Sequence, residues 1–137
     1  MLTIDTDARL ARALDQPLGA AVHRLLALRR HQLGSIEGTA AFHLVEAGDT
    51  LADAEAALGF PIATDMVEGT SYPDPDFVPS WESAERHSGG VYEIVYVLTD
   101  DGHAHVLLVP DREDTDPVLR SLLRDHVDQA EGALPAP

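Results

Sequence analysis

The sequence predicts an α+β domain, a mostly antiparallel sheet centred on a hairpin over residues 91–110 and packed by N-terminal and C-terminal helices. Three observations carry this. Residues 91–99 and 103–110 are runs rich in Val, Tyr, Ile and Leu that flank Asp101-Gly102, a dipeptide suited to the two positive-φ positions of a type I′ turn. Apolar residues recur at helical spacing over 17–33 and again from Val118 to Val127. At 137 residues, 45% of them hydrophobic, the chain has enough length for one domain with its own core. The expected organisation is a single domain over 1–137: a helical segment 1–34, an α+β core over 38–127 and a frayed tail 131–137.

In chain order, Thr6 is placed to cap a short helix over 6–15 with Leu10, Ala13 and Leu14 apolar. Pro17 suits the first turn of a second helix to Leu33, because its nitrogen has no donor to leave unsatisfied. Leu18, Val22, Leu25, Leu26 and Leu33 form the stripe predicted to be buried. Arg29, Arg30 and His31 fall in its last turn, where positive charge suits the helix dipole, and Gly34 can cap. Such a basic helix end is expected to pair with the acidic remainder of the same fold.

Residues 38–47 alternate as a strand, with Phe42 and Leu44 on one face and His43 and Val45 on the other. Thr50 and Asp53 form a capping-box variant for a helix that ends at Gly59. Phe60-Pro61-Ile62 can be a short edge strand or an anchored loop. Residues 65–80, with Tyr72 and Phe77 among four Pro and Gly residues, predict an ordered loop that buries its aromatics. Pro79 to His87 predicts one or two helical turns stopped by Gly89-Gly90. Thr115 or Asp116 caps the last helix, with Pro117 at its first position and Val118, Leu119, Leu122, Leu123 and Val127 facing inward.

If Asp101-Gly102 is the turn, Leu98 lies opposite His105, Tyr96 opposite Leu107 and Ile94 opposite Val109. The other face carries Val91, Glu93, Val95, Val97 and Thr99 against Ala104, Val106 and Leu108. Both faces are apolar, so the ribbon needs cover on both sides. Helices can supply it, or one face can be the seam of a homodimer.

The formal net charge is −15, and all nine basic residues are Arg. The charge is uneven: residues 1–33 carry five Arg and three Asp, for +2, and the remaining chain carries four Arg and 21 acids, for −17. Codon bias of a high-GC genome, which favours Arg and Ala over Lys and Asn, and adaptation to salt are alternative readings of this composition. Such a surface repels nucleic acid and favours a basic protein partner. No direct nucleic-acid binding is expected. With no Cys there is no disulfide, thiolate metal site or cysteine nucleophile. No apolar run is long enough to cross a membrane and the first residues lack the pattern of a signal peptide, so the expected location is cytoplasmic.

No nucleophile elbow and no glycine-rich phosphate loop is present. The expectation is a protein that is not an enzyme and needs no cofactor, with no catalytic residue assigned. His103 and His105 share one strand face, and His43 can join them from a neighbouring strand, so these three are the candidate metal ligands of an alternative reading. Asp74, Asp76, Glu82, Glu85, Asp111, Glu113 and Asp114 cluster in predicted loops and turns and are the candidate partner contacts.

The stretch from Phe42 through Gly48-Asp49-Thr50-Leu51 to Phe60 resembles the opening of a LysM carbohydrate-binding module. A strand, a turn and a capped helix account for the same residues without a glycan. A broader resemblance rests on residues 46–60, Asp74-Pro-Asp-Phe-Val-Pro-Ser-Trp-Glu82, Thr99-Asp-Asp-Gly102, Val109-Pro-Asp-Arg112 and Asp116-Pro117. There the chain resembles small acidic proteins of high-GC proteobacteria, often encoded near conjugative or other mobile elements. That resemblance implies no activity and no site residues. It implies a setting in which an accessory protein inhibits a host nucleic-acid-handling defence, as antirestriction and anti-CRISPR proteins do. The reading is therefore a non-enzymatic acidic module that binds the basic site of a nucleic-acid-binding enzyme; the alternatives are a small-ligand or metal protein and a dimeric accessory protein.

Overall fold

A computed structural model describes residues 1–60, 62, 80–97 and 103–132. Within them lie β1 (Leu2–Ile4), α1 (Asp7–Leu14), α2 (Ala20–Leu33), β2 (Ala40–Leu44), α3 (Leu51–Leu58), β3 (Ser80–His87), β4 (Val91–Val97), β5 (Ala104–Pro110) and α4 (Pro117–Gly132). The strands form one five-stranded sheet in the order β1-β2-β5-β4-β3. Every neighbouring pair is antiparallel except β2 and β5, which run parallel. The fold is α+β, with helices from both ends of the chain on the sheet.

The sheet separates two cores. On one face Ile4, Phe42, Leu44, Val106 and Leu108 pack against Leu10 of α1 and Val22, Leu25 and Leu26 of α2. On the other, Ile94, Tyr96, Leu107 and Val109 pack against Ala54 and Leu58 of α3 and Leu119, Leu123 and Val127 of α4. Both apolar faces of the β4–β5 ribbon are thus covered by the chain's own helices. Each fully buried side chain of this size contributes about 1.5–3 kcal/mol, which makes the two cores the main stabilising element. Among the described residues, no helix is long and apolar enough to cross a membrane.

The caps follow the sequence. Thr6 accepts from the Arg9 amide at 3.1 Å, Thr50 and Asp53 form a complete capping box, and Asp116 accepts from the Val118 amide at 3.3 Å ahead of Pro117. Helix α2 begins at Ala20 rather than Pro17, with Gly19 as its cap. Phe60 and Ile62 are buried as anchors, Ile62 donating its amide to Glu55 at 2.6 Å. Two stripe residues differ from expectation. Leu33 is 47% exposed and Val118 61% exposed, and each stands at the end of its helix. Helix α4 continues to Gly132, so Glu131 and Gly132 are helical.

Three differences matter for the site. First, residues 80–87 are a strand, not a helical turn: Ser88-Gly89-Gly90 is a hairpin loop, with both glycines at positive φ (95° and 82°). The segment is poor in strand-forming residues because it is an edge strand, where charge is favoured over β propensity. Second, the β4–β5 register places Ile94 opposite Leu107 and Tyr96 opposite His105, two residues from the pairing expected for a turn at Asp101-Gly102. An even shift keeps every side chain on its face, so the predicted faces survive. The expected turn at Asp101-Gly102 and residues 65–79 of the loop expected over 65–80 lie outside the described residues, and Ser80 begins β3 instead. Third, β1 joins the sheet ahead of the first helix, pairing Ile4 with Phe42.

Gly89 also brings its loop against α2. A Cβ there would sit 2.7 Å from the Ala21 Cβ, at a φ of 95° that side chains resist. Gly89→Ala is expected to lose about 2 kcal/mol of stability from the left-handed backbone and the clash together. Urea unfolding measures this, and an unchanged midpoint would contradict the close approach.

Candidate functional site

The feature with the most developed chemistry sits on the α2 side of the sheet. In β4, Val91, Glu93, Val95 and Val97 share one face, so Glu93 is a carboxylate in a row of valines. It is 3% exposed. Arg29, in the last turns of α2, reaches it with two hydrogen bonds, Nε to Oε2 at 2.8 Å and Nη2 to Oε1 at 2.6 Å. His87, at the end of β3, approaches the same Oε1 through Nε2 at 2.8 Å. Burial pushes the Glu93 carboxyl up, but the hydrogen bonds and charges of Arg29 and His87 outweigh it, and its pKa lies below the ordinary value. An ionised carboxylate only accepts, so His87 donates from Nε2. The Arg29 pKa is raised in turn, chiefly by its bond to Glu93.

Strand pairing sets Glu85 directly opposite Glu93, a like-charge arrangement that is unfavourable by itself. Here His87 lies between them, its Nε2 3.5 Å from Glu85 Oε2. Glu85, His87 and Glu93 offer ligand atoms all within 4.8 Å of one another. Beside them opens a cleft of about 350 Å³ with an apolar floor of Phe42, Val95 and Val106 and a polar rim of Arg29, Gln32, Thr39 and Glu85. Gln32 accepts from Arg29 Nη1 at 2.7 Å. The basic end of α2 thus pairs within the fold through Arg29.

The second feature is the sheet end where β2 and β5 finish. Because these neighbours are parallel, the turn after β2 and the turn after β5 emerge side by side. Glu46, Arg112 and Asp114 line a narrow crevice between them, and the Leu51 amide donates to Asp116 at 2.9 Å. The 111–116 turn is ordered by Thr115, which donates to the Pro110 carbonyl at 2.6 Å and accepts from the Arg112 amide at 3.0 Å. Part of the charge is neutralised internally. Asp111 pairs with Arg86 at 3.2 Å and Arg120 at 2.7 Å, and the Met1 amino group lies 2.7 Å from Asp49 and 3.1 Å from Glu46. Asp53 serves its capping box. Glu113 and Asp114 point outward, exposed.

Of the expected partner contacts, then, Glu113 and Asp114 share an exposed turn, Asp111 is half-buried within an ion-pair network, and Glu85 belongs to the cleft. Glu82 is the extra residue of a bulge in β3 between Trp81 and Ser83. Asp74 and Asp76 lie outside the described residues. Among the described residues, Asp111, Glu113 and Asp114 share one turn and Glu85 borders the cleft instead.

The candidate histidine ligands divide as well. His43 and His105 stand on adjacent strands with rings stacked at 5.8 Å, inclined by 15°, on the face covered by α3 and α4. His103 precedes β5. Among the described residues these three do not gather their nitrogens as a ligand set; Glu85, His87 and Glu93 do. Burial, and secondarily the neighbouring His105, push the His43 imidazole down to about 4. Its Nδ1 lies 3.4 Å from the Thr3 hydroxyl, while its buried Nε2 has no hydrogen-bond partner among the described residues.

Sequence reasoning missed Arg29, His87 and Glu93 as a unit. One signal was present: a glutamate in register with core valines must have a buried counter-charge. Reading 79–87 as helical hid the alternation that puts Glu85 and His87 on one face. Searches of protein-family models, curated proteins and solved structures find no significant match to this chain.

Proposed function

We propose that this protein is a non-enzymatic acidic module that docks onto a basic protein surface through the sheet end formed by the turns at 46–53 and 111–116. The observation that carries the reading is the parallel β2–β5 pair, which sets two acidic turns from distant parts of the sequence next to each other. The +2 of residues 1–33 resides in β1, α1 and α2 and the −17 in the rest of the chain, so the acidity is uneven along the sequence. Adaptation to salt would spread it evenly. A concentrated carboxylate surface suits a partner whose basic site ordinarily holds nucleic acid, and a host defence nuclease is the partner class that this reading names. A homodimer seam on the hairpin has less to recommend it, since the helices already cover both hairpin faces.

The test is capture of a basic nucleic-acid-binding enzyme from nuclease-treated host lysate, compared between wild type and the double substitution Glu113→Lys, Asp114→Lys. Wild type should retain the partner at low salt and release it at high salt, because exposed charges lose most of their attraction beyond a Debye length of about 8 Å at physiological ionic strength. The double variant should bind at least about tenfold more weakly, mainly through a slower association rate. Binding indifferent to both salt and charge reversal would reject the reading.

A further inference from the structure

We propose that Glu85, His87 and Glu93 form a binding site for a divalent transition-metal ion of the zinc type, independent of the acidic sheet end. The argument starts from the strands. Glu85 and His87 are two residues apart on β3 and so share a face, and β4 pairing delivers Glu93 to the same face from the side. The resulting donors are one imidazole nitrogen and two carboxylate oxygens. Magnesium and calcium favour all-oxygen sets, whereas an imidazole with carboxylates suits zinc, manganese, iron or nickel.

The spacing fits. Metal–ligand bonds of about 2.0–2.1 Å in a tetrahedral site put neighbouring donors about 3.3 Å apart. His87 Nε2 lies 3.5 Å from Glu85 and 2.8 Å from Glu93. The shorter separation is a hydrogen bond, which the ion replaces: His87 carries its proton on Nδ1 instead of Nε2, and the two side chains part by about half an ångström. Glu93 need not give up Arg29. Its Oε1 has two lone pairs, one for Arg29 and one for the ion, so Arg29 holds the carboxylate in place from behind, as outer partners of metal ligands do. Glu85 and Glu93 both border the 350 Å³ cleft. Two carboxylates, Arg29 and a dication sum to a positive charge, so the remaining coordination position suits water or an anionic oxygen of a small molecule seated on Phe42, Val95 and Val106.

The experiment is calorimetric titration of chelator-treated full-length protein with zinc chloride, for wild type, Glu85→Gln, His87→Gln and His43→Gln. Wild type should take up one ion per chain. Glu85→Gln and His87→Gln should each weaken binding by more than about tenfold, and His43→Gln should leave it unchanged. Glu85 is exposed, so its variant should melt at the wild-type temperature without metal, which separates loss of a ligand from loss of the fold. No saturable zinc uptake by wild type would overturn the proposal. So would uptake that survives both Glu85→Gln and His87→Gln, or that is lost in His43→Gln alone.

Discussion

Replacing Arg29 by methionine should destabilise the protein by about 3 kcal/mol, the low end of what removing one member of a buried ion pair costs. Methionine keeps most of the aliphatic bulk, so packing loss is small and the effect isolates the charge. Glu93, at 3% exposure, would lose both hydrogen bonds from the guanidinium and keep only His87. The penalty is the uncompensated desolvation of the carboxylate, not the intrinsic worth of the pair. The double substitution Arg29→Met, Glu93→Leu should therefore recover most of the loss, since a buried pair exchanged for apolar residues is often neutral or better. Denaturant unfolding of the two singles and the double closes the cycle. A loss below about 0.5 kcal/mol in Arg29→Met, the range of an exposed pair, would mean that Glu93 reaches water in solution.

The second large effect is a pH dependence centred on His43. Its folded value of about 4 lies below the ordinary 6.5 because burial disfavours the imidazolium, with the adjacent His105 adding to this and Asp5 opposing it. The unfolded chain binds the proton more readily than the folded one. Stability from this group is thus complete above pH 6.5 and is lost as pH falls from 6.5 towards about 4. The gap corresponds to about 3 kcal/mol over that interval. His43→Leu should remove this part of the profile. At neutral pH it should change stability by less than about 1 kcal/mol, because the buried Nε2 has no partner to lose among the described residues and the Thr3 contact is long. Carboxylates titrate in the lower part of the same range, so the difference between variant and wild type is the quantity to measure. Superimposable profiles from pH 7 to pH 4 would show that His43 is hydrated or charged in the folded state.

Both effects arise where a polar side chain occupies a register position that the surrounding pattern assigns to the core. Glu93 stands among Val91, Val95 and Val97, and His43 between Phe42 and Leu44. The alternation that identifies the strands also identifies these residues as buried. It does not name their partners. Arg29 is 64 residues from Glu93, and nothing local connects them.

What the sequence by itself determined is whatever short-range stereochemistry controls: the Thr6 and Thr50 caps, the ends of helices at Gly34 and Gly59, the two faces of β2, β4 and β5, and the α+β class. These depend on periodicity and capping within a few residues, so they survive ignorance of the rest of the chain. Tertiary structure alone decided the strand character of residues 80–87, the β4–β5 register, the three-residue strand β1 and the parallel pairing of β2 with β5. The β1–β2 and β2–β5 pairings are long-range, while β3–β4 and β4–β5 join strands consecutive in sequence; in all of them the backbone hydrogen bonds can be made with almost any side chains, and edge strands in particular are selected for charge rather than β propensity. The candidate sites inherit that division. The acidic turns and the Glu85–His87–Glu93 cluster use residues visible in the sequence, but their assembly follows from which strands became neighbours.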